Sequence, residues 1–209
     1  LNTSERRKTA LRRHIWRPKR FRALLDRFAG RCEIPAARQA LIAADVPMAH
    51  AGPQIGLRSA AEVAERIDVL KSDATLDPIS AGEVDLIEAV LQVRETCPNA
   101  LSQLVDIAVD LPSIFGAVTR LGERFDALDT RGVETATLMF ETSYGRSSME
   151  YYDGFVFGFH AIHHVGLSPI ATGGRYDALT QRLGQGDAIP AVGGVIRPDL
   201  LIQIAGGPS

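Results

Sequence analysis

The sequence predicts an α+β fold in which a helical domain, residues 1–132, precedes a strand-rich part, residues 133–209. Two observations carry that division. Apolar residues recur at helical spacing up to Gly132 and at alternating spacing after it. The nineteen glycines concentrate late, with pairs at Gly173-Gly174, Gly193-Gly194 and Gly206-Gly207. Such pairs suit a sheet whose backbone is closely approached by another group.

The helical elements follow in order. Arg17-Pro18 ends one helical stretch, because proline disfavours the helical conformation in the residue before it. Pro18 can then open the next helix, where its missing N–H costs nothing. Phe21, Leu24, Leu25 and Phe28 form one apolar face of that helix, and Gly30 is its expected stop. Ser59 with Glu62 and Ser80 with Glu83 have capping-box spacing. The periodic runs behind them are Val63, Ile67, Leu70 and Val84, Ile87, Leu91. Ile114, Val118, Leu121, Phe125 and Leu128 then repeat at helical spacing. Connectors at Ala51-Gly52-Pro53, Asp77-Pro78 and Cys97-Pro98 separate these helices.

Three strands are expected after Gly132. Thr135 to Phe140 alternates, Tyr151 to Phe159 is aromatic and β-branched, and Pro190 to Ile196 is apolar and laced with glycine. Three strands this rich in glycine need completion, either by a partner or by sequence outside this chain.

A chain of 209 residues with 45% hydrophobic and 23% charged residues has the composition of a soluble globular protein. No run approaches the length of a membrane helix, and no charged-then-apolar leader opens the chain. Cys32 and Cys97 share no metal or disulfide spacing, so a cytoplasmic protein is expected. The net charge of −2 hides an asymmetry: residues 1–31 hold eleven Lys/Arg against two Asp/Glu. A basic run of that kind can neutralise phosphates. Aromatic residues for base stacking are few there (Trp16, Phe21, Phe28), and two of them lie on the apolar face. A solvated or protein-docking helix face is therefore preferred, and no nucleic-acid partner is expected.

His160, His163 and His164 form an HxxHH pattern. A catalytic zinc needs a third ligand and an orienting outer shell, and no HExxH-type carboxylate accompanies these residues. No metal and no cofactor are expected. There is no GxxxxGK[ST] phosphate loop, no GxGxxG between a strand and a helix, and no GxSxG elbow. No catalytic residue is assigned.

The segment Met149 to Leu201 carries a resemblance. Glu150-Tyr151-Tyr152-Asp153-Gly154-Phe155-Val156-Phe157 resembles the histidine-specific motif of histidyl-tRNA synthetases, Arg-Gly-Leu-Asp-Tyr-Tyr followed by a strand. Thr172-Gly173-Gly174-Arg175-Tyr176-Asp177-Ala178-Leu179 is similar to that family's Gly-Gly-Gly-Arg-Tyr-Asp-Gly-Leu. Pro190-Ala191-Val192-Gly193-Gly194-Val195-Ile196 resembles the strand of the third class II motif. The resemblance implies the C-terminal part of a class II aminoacyl-tRNA synthetase-like antiparallel sheet, preceded by a helical insertion domain. It also implies a histidine-type pocket at Glu150, Tyr151, Tyr152, Gly173 and Gly174. Two adjacent tyrosines on a strand are expected to place one ring on each face, one over a ligand and one packed.

The departures from the motifs matter equally. Where the family has an activating arginine at the start of the histidine motif, this chain has Ser147, with Arg146 one residue out of register. The third motif normally ends in an ATP-holding arginine, and that position carries Leu200. Losing positioned cations opposite a polyphosphate costs orders of magnitude in rate. This pattern resembles the synthetase paralogue family that serves as regulatory subunit of ATP phosphoribosyltransferase in histidine biosynthesis. That resemblance implies no catalysis by this chain, a short-form catalytic subunit as partner, histidine as a possible ligand, and a homo-oligomer within a hetero-oligomer. The chain begins at Leu1, lacks the first two class II motifs and stops at Ser209 without an anticodon-binding domain. It is expected to be the C-terminal part of a longer protein. The alternative is a fragment of a histidyl-tRNA synthetase.

Overall fold

The computed structural model describes residues 1–15, 17–49, 52–53, 55–144, 151–164, 166–184, 186–187 and 189–206. Ser4 caps the first helix, α1 (Glu5–His14), by accepting from the Arg7 N–H. Pro18 opens α2 (Pro18–Phe28) at its first turn, and Gly30 follows that helix with φ +70°, as a stop in the left-handed region requires. Phe21, Leu25 and Phe28 of α2 are buried with Leu11, Ile79 and Val84, and Leu24 packs against them. The apolar face expected from spacing is thus the face that forms the core.

Arg7 is the exceptional member of that core: its side chain is 6% exposed, among apolar neighbours. A buried guanidinium is tolerated only when its donors are satisfied. Nε donates to the Asp73 carboxylate at 2.9 Å, Nη2 to the Asp73 carbonyl at 2.7 Å and Nη1 to the Asp77 carbonyl at 2.8 Å. Its guanidinium carbon also lies 5.2 Å from the centre of the Phe28 ring. These bonds bind α1 to the end of α4 (Ala60–Ala74) and to the connector behind it.

Helix α3 (Ala36–Ala43) is tied to α4 where Lys71 Nζ donates to the Ala44 carbonyl at 2.7 Å. Both expected capping boxes form. Ser59 with Glu62 starts α4, and Ser80 with Glu83 starts α5 (Ala81–Gln92). A second core gathers Ala100, Leu104 and Ala108 of α6 (Cys97–Asp110) with Val118, Leu121 and Phe125 of α7 (Phe115–Thr130). Ile114 belongs to a short 3-10 turn, Pro112–Ile114, ahead of α7, and it packs with Leu128 against this core.

The first expected strand is corrected by the structure. Thr135–Thr137 forms a 3-10 turn, and only Met139–Glu141 is a strand (β2). The Asp129 carboxylate accepts from both the N–H and the hydroxyl of Thr135, which pulls that stretch into a turn. β2 pairs antiparallel with β1 (Arg94–Thr96), a strand not expected from sequence. Phe140 of β2 meets Phe125 edge to face at 5.9 Å.

The chain forms two compact units, Leu1–Ser143 and Tyr144–Ser209. Helix α7 ends at Thr130, and Gly132 follows with φ +80°. The chain nevertheless stays in the first unit to Ser143, because β2 pairs with β1. The second unit is a three-stranded antiparallel sheet with β4 (Ala171–Arg175) between β3 (Val156–Phe159) and β5 (Val192–Ile196). Short helices α8 (Asp177–Leu183) and α9 (Pro198–Ile204) follow β4 and β5. The strand expected over Tyr151 to Phe159 therefore begins five residues late, at Val156. The N–H groups of Asp153 and Gly154 both donate to the Arg175 carbonyl, so the regular ladder starts only beyond them. Among the described residues no helix is long and apolar enough to cross a membrane.

Arg7→Ala leaves the Asp73 carboxylate without its closest cation and the Asp77 carbonyl without its guanidinium donor. A loss of about 3 kcal/mol is expected, measurable as a lower urea midpoint of the helical unit.

Candidate functional site

The second unit brings three tyrosines together. Tyr151 and Tyr152 precede β3, and Tyr176 lies between β4 and α8. Ring centres are 4.8 Å apart for Tyr151 and Tyr152, 5.4 Å for Tyr151 and Tyr176, and 6.3 Å for Tyr152 and Tyr176. Tyr152 is buried at 6% exposure and Tyr151 is 39% exposed. The expectation that the two adjacent rings lie on opposite faces of a strand is corrected. Residues 151 and 152 precede the strand, so its alternation does not apply to them, and both rings join one cluster. Tyr176 was not singled out from the sequence, although it stands in the Gly-Gly-Arg-Tyr-Asp stretch beside the glycines.

The glycines explain why the rings fit. Register pairs Gly174 with Gly193 and Gly173 with Gly194, so each pair lies on one face of the sheet. A Cβ on Gly174 would sit 2.9 Å from the Tyr152 ring and 2.8 Å from the Phe155 carbonyl oxygen. A Cβ on Gly193 would sit 3.0 Å from the Tyr176 hydroxyl. On the opposite face a Cβ on Gly173 would run into the Phe157 ring and approach the Gly193 carbonyl to 2.5 Å. The absence of side chains at Gly173 and Gly174 thus admits Phe157 and Tyr152 to the sheet, one on each face.

Carboxylates brace the cluster. Asp153 accepts from the N–H of Asp177 at 3.1 Å and also from that of Ala178, closing the start of α8. Asp177 accepts from the Ala191 N–H at 2.9 Å and from Arg175 Nε at 2.7 Å. The Ala191 bond first, and then Arg175, hold the Asp177 carboxyl below its ordinary range. The Tyr152 phenol is pushed up by burial first and by its hydrogen-bonded neighbour Tyr151 second. It therefore remains a neutral donor at physiological pH.

Of the expected pocket residues, Tyr151, Tyr152 and Gly174 come together, Gly173 faces Phe157 on the other side of the sheet, and Glu150 lies outside the described residues. Arg146 and Ser147 also lie outside them. Leu200 is in the first turns of α9. Arg197 Nη1 donates to the Pro169 carbonyl at 2.8 Å, and Arg175 is paired with Asp177. Both arginines are thus engaged in holding the sheet. His163 and His164 are exposed, and His160 meets the Tyr144 ring edge to face at 6.4 Å. Among the described residues no three His, Cys, Asp or Glu side chains converge as a metal site would need. The arrangement offers aromatic surface, phenol hydroxyls and backbone, which suit binding of a small polar ring.

Gly174→Ala is expected to displace Tyr152, because the new methyl meets both its ring and a backbone oxygen. The expected cost is about 1–3 kcal/mol, with loss of the tyrosine near-ultraviolet dichroism.

Comparison with known proteins agrees with the motifs. The profile described as histidyl-tRNA synthetase matches residues 55–201. Proteins named ATP phosphoribosyltransferase regulatory subunit in Brucella canis and Brucella suis are each 33% identical over 175 residues. Those alignments take in 83% of this chain and 45% of each relative, so the chain spans about half the length of the curated relatives it matches. The relative of the same name in Brucella melitensis gives the same identity and coverage. No solved structure matches the chain. Three motifs in order, a glycine-backed tyrosine cluster on an antiparallel sheet and a profile spanning most of the chain converge on one conclusion: the chain belongs to the histidyl-tRNA synthetase family.

Proposed function

We propose that this chain is part of a regulatory subunit of ATP phosphoribosyltransferase, without catalysis of its own, acting in the first step of histidine biosynthesis and its feedback control. The observation that carries the reading is its 33% identity, over 83% of its length, to proteins bearing that name. The state of its arginines supports it. Leu200 stands where synthetases place an ATP-holding arginine, and Arg197, three residues earlier, is bonded to the Pro169 carbonyl. The three-stranded sheet is read as part of a class II synthetase-like sheet, with the helical unit as its insertion. Catalysis belongs to a short-form partner subunit in the cytoplasm, and the subunit assembles as a homo-oligomer within a hetero-oligomer. The alternative, a fragment of a histidyl-tRNA synthetase, is favoured by the profile's description alone.

Exchange separates the two. The complete protein is expected to give no histidine-dependent ATP–pyrophosphate exchange above a no-histidine control, and clear exchange moves the assignment to a synthetase.

In this reading Tyr151 and Tyr152, with Glu150, Gly173 and Gly174, form a pocket for histidine. Tyr151, the more exposed, supplies contact area, while Tyr152 holds the wall. Calorimetric titration of the complete protein with histidine tests this. Truncation of the contacting tyrosine to Ala is expected to cost about 2 kcal/mol, roughly thirtyfold in Kd. Conversion to Phe removes only the hydroxyl and is expected to cost about 1 kcal/mol. If neither Ala variant weakens binding, the tyrosines are not the pocket.

A further inference from the structure

Among the basic side chains of residues 1–31, some are paired within the unit and others are not; Arg27 lies over the Phe28 ring. Arg6 and Arg7 pair with Asp73, Lys8 and Arg12 with Glu5, and Arg31 with Asp85. These charges are used within the unit. Arg13, Lys19, Arg20 and Arg22 are exposed and pair with no acid among the described residues. They flank the turn between α1 and α2, two helices that pack through Leu11, Phe21 and Leu25. Lys19 and Arg22 stand three residues apart on one helix, where like charges are neighbours and repel. No acidic residue occupies the first turn of α2 to relieve them. A folded domain that exposes four cations with no ion pair among the described residues presents a surface suited to an anionic partner.

From this corner we infer a docking surface for an acidic protein face, carried in the complex by the catalytic subunit. The inference rests on the proposed function and names the surface through which that partner is held. Charge and aromatic placement favour a protein over a nucleic acid. Sequence-tolerant nucleic-acid binding uses exposed rings for stacking; Phe21 and Phe28 are both buried in the core, and Trp16 lies outside the described residues. A nucleic-acid-binding domain is commonly basic as a whole, whereas this chain has a pI near 6.2 and carries twelve Lys/Arg against twenty-three Asp/Glu in residues 32–209. That excess repels a long polyphosphate while leaving a local basic corner free to meet an acidic patch. The synthetase profile starts at residue 55, beyond this surface, and assigns it no role.

The test uses the complete protein and the short-form ATP phosphoribosyltransferase encoded in the same genome. Arg13→Glu, Lys19→Glu, Arg20→Glu and Arg22→Glu are combined in one variant, and the same four positions are changed to Gln in a second that adds no repulsion. Thermal melting identifies which variants are folded, and the Gln variant decides the matter if the Glu variant is not. Affinity is measured by calorimetry at about 50 mM and about 500 mM salt, where screening lengths differ severalfold. The expected result is a loss of about tenfold or more at low salt, with wild-type affinity falling as salt rises and variant affinity nearly insensitive to it. If wild type binds and a folded variant binds equally well, the surface inference is overturned while the functional reading stands. If wild type does not bind the catalytic chain at either salt, both are overturned. Transfer RNA bound more tightly than the catalytic chain, and released by the same substitutions, overturns the protein-docking inference in favour of nucleic acid.

Discussion

Close contact between aromatic rings and a glycine backbone is the constraint on which the second unit depends. A strand interior normally gains from side chains and loses from glycine. Here β4 and β5 give up Cβ atoms at Gly173, Gly174 and Gly193, and the space goes to Phe157, Tyr152 and Tyr176. The rings bury more apolar area than alanines would, so the exchange stabilises the sheet even though the glycines cost conformational entropy. It also determines chemistry. Tyr152 can be buried and Tyr151 half-exposed beside it only because Gly174 admits the inner ring. A wall of phenols results, braced by Asp153 and Asp177, with burial holding the Tyr152 hydroxyl in its neutral form.

The first unit rests on a different device. Its two cores are held by ordinary helix packing, but α1 is tied to the far end of α4 by one buried guanidinium. Arg7 satisfies its donors with two carbonyls and a carboxylate, so the tie is directional in a way that apolar contact is not. Burying Arg7 in this manner orients α1 and leaves its other arginines on the outside. The basic character of the first thirty residues thus has two separate consequences, internal fastening and an uncompensated surface.

The two devices bear on the functional reading together. In the proposed reading the tyrosine wall serves binding, while Arg175 and Arg197 of the second unit are committed to holding the sheet. Arg175 and Arg197 illustrate this: each has a short bond to a carboxylate or a carbonyl within its own unit. A cation so engaged would have to break that bond before it could meet a polyphosphate.

The sequence by itself determined the starts of α2, α4 and α5, the apolar face of α2 and the family, whereas Cys97-Pro98, read as a connector, opens α6. Capping boxes at Ser59 and Ser80, the stop at Gly30 and the periodic face of α2 are local, so neighbouring residues suffice to specify them. The motifs around Tyr151, Arg175 and Gly193 were legible for the same reason. What required tertiary structure was every feature that depends on residues distant in the chain. β1 and β2 are three residues each and exist only through pairing with each other, and the Asp129 carboxylate turned an alternating stretch into a 3-10 turn. The common side of Tyr151 and Tyr152 followed from the Arg175 carbonyl, which takes two successive N–H groups and delays the strand. Tyr176 entered the cluster because the register pairs Gly174 with Gly193. Spacing along a chain carries no information about such contacts until the partners have been brought together.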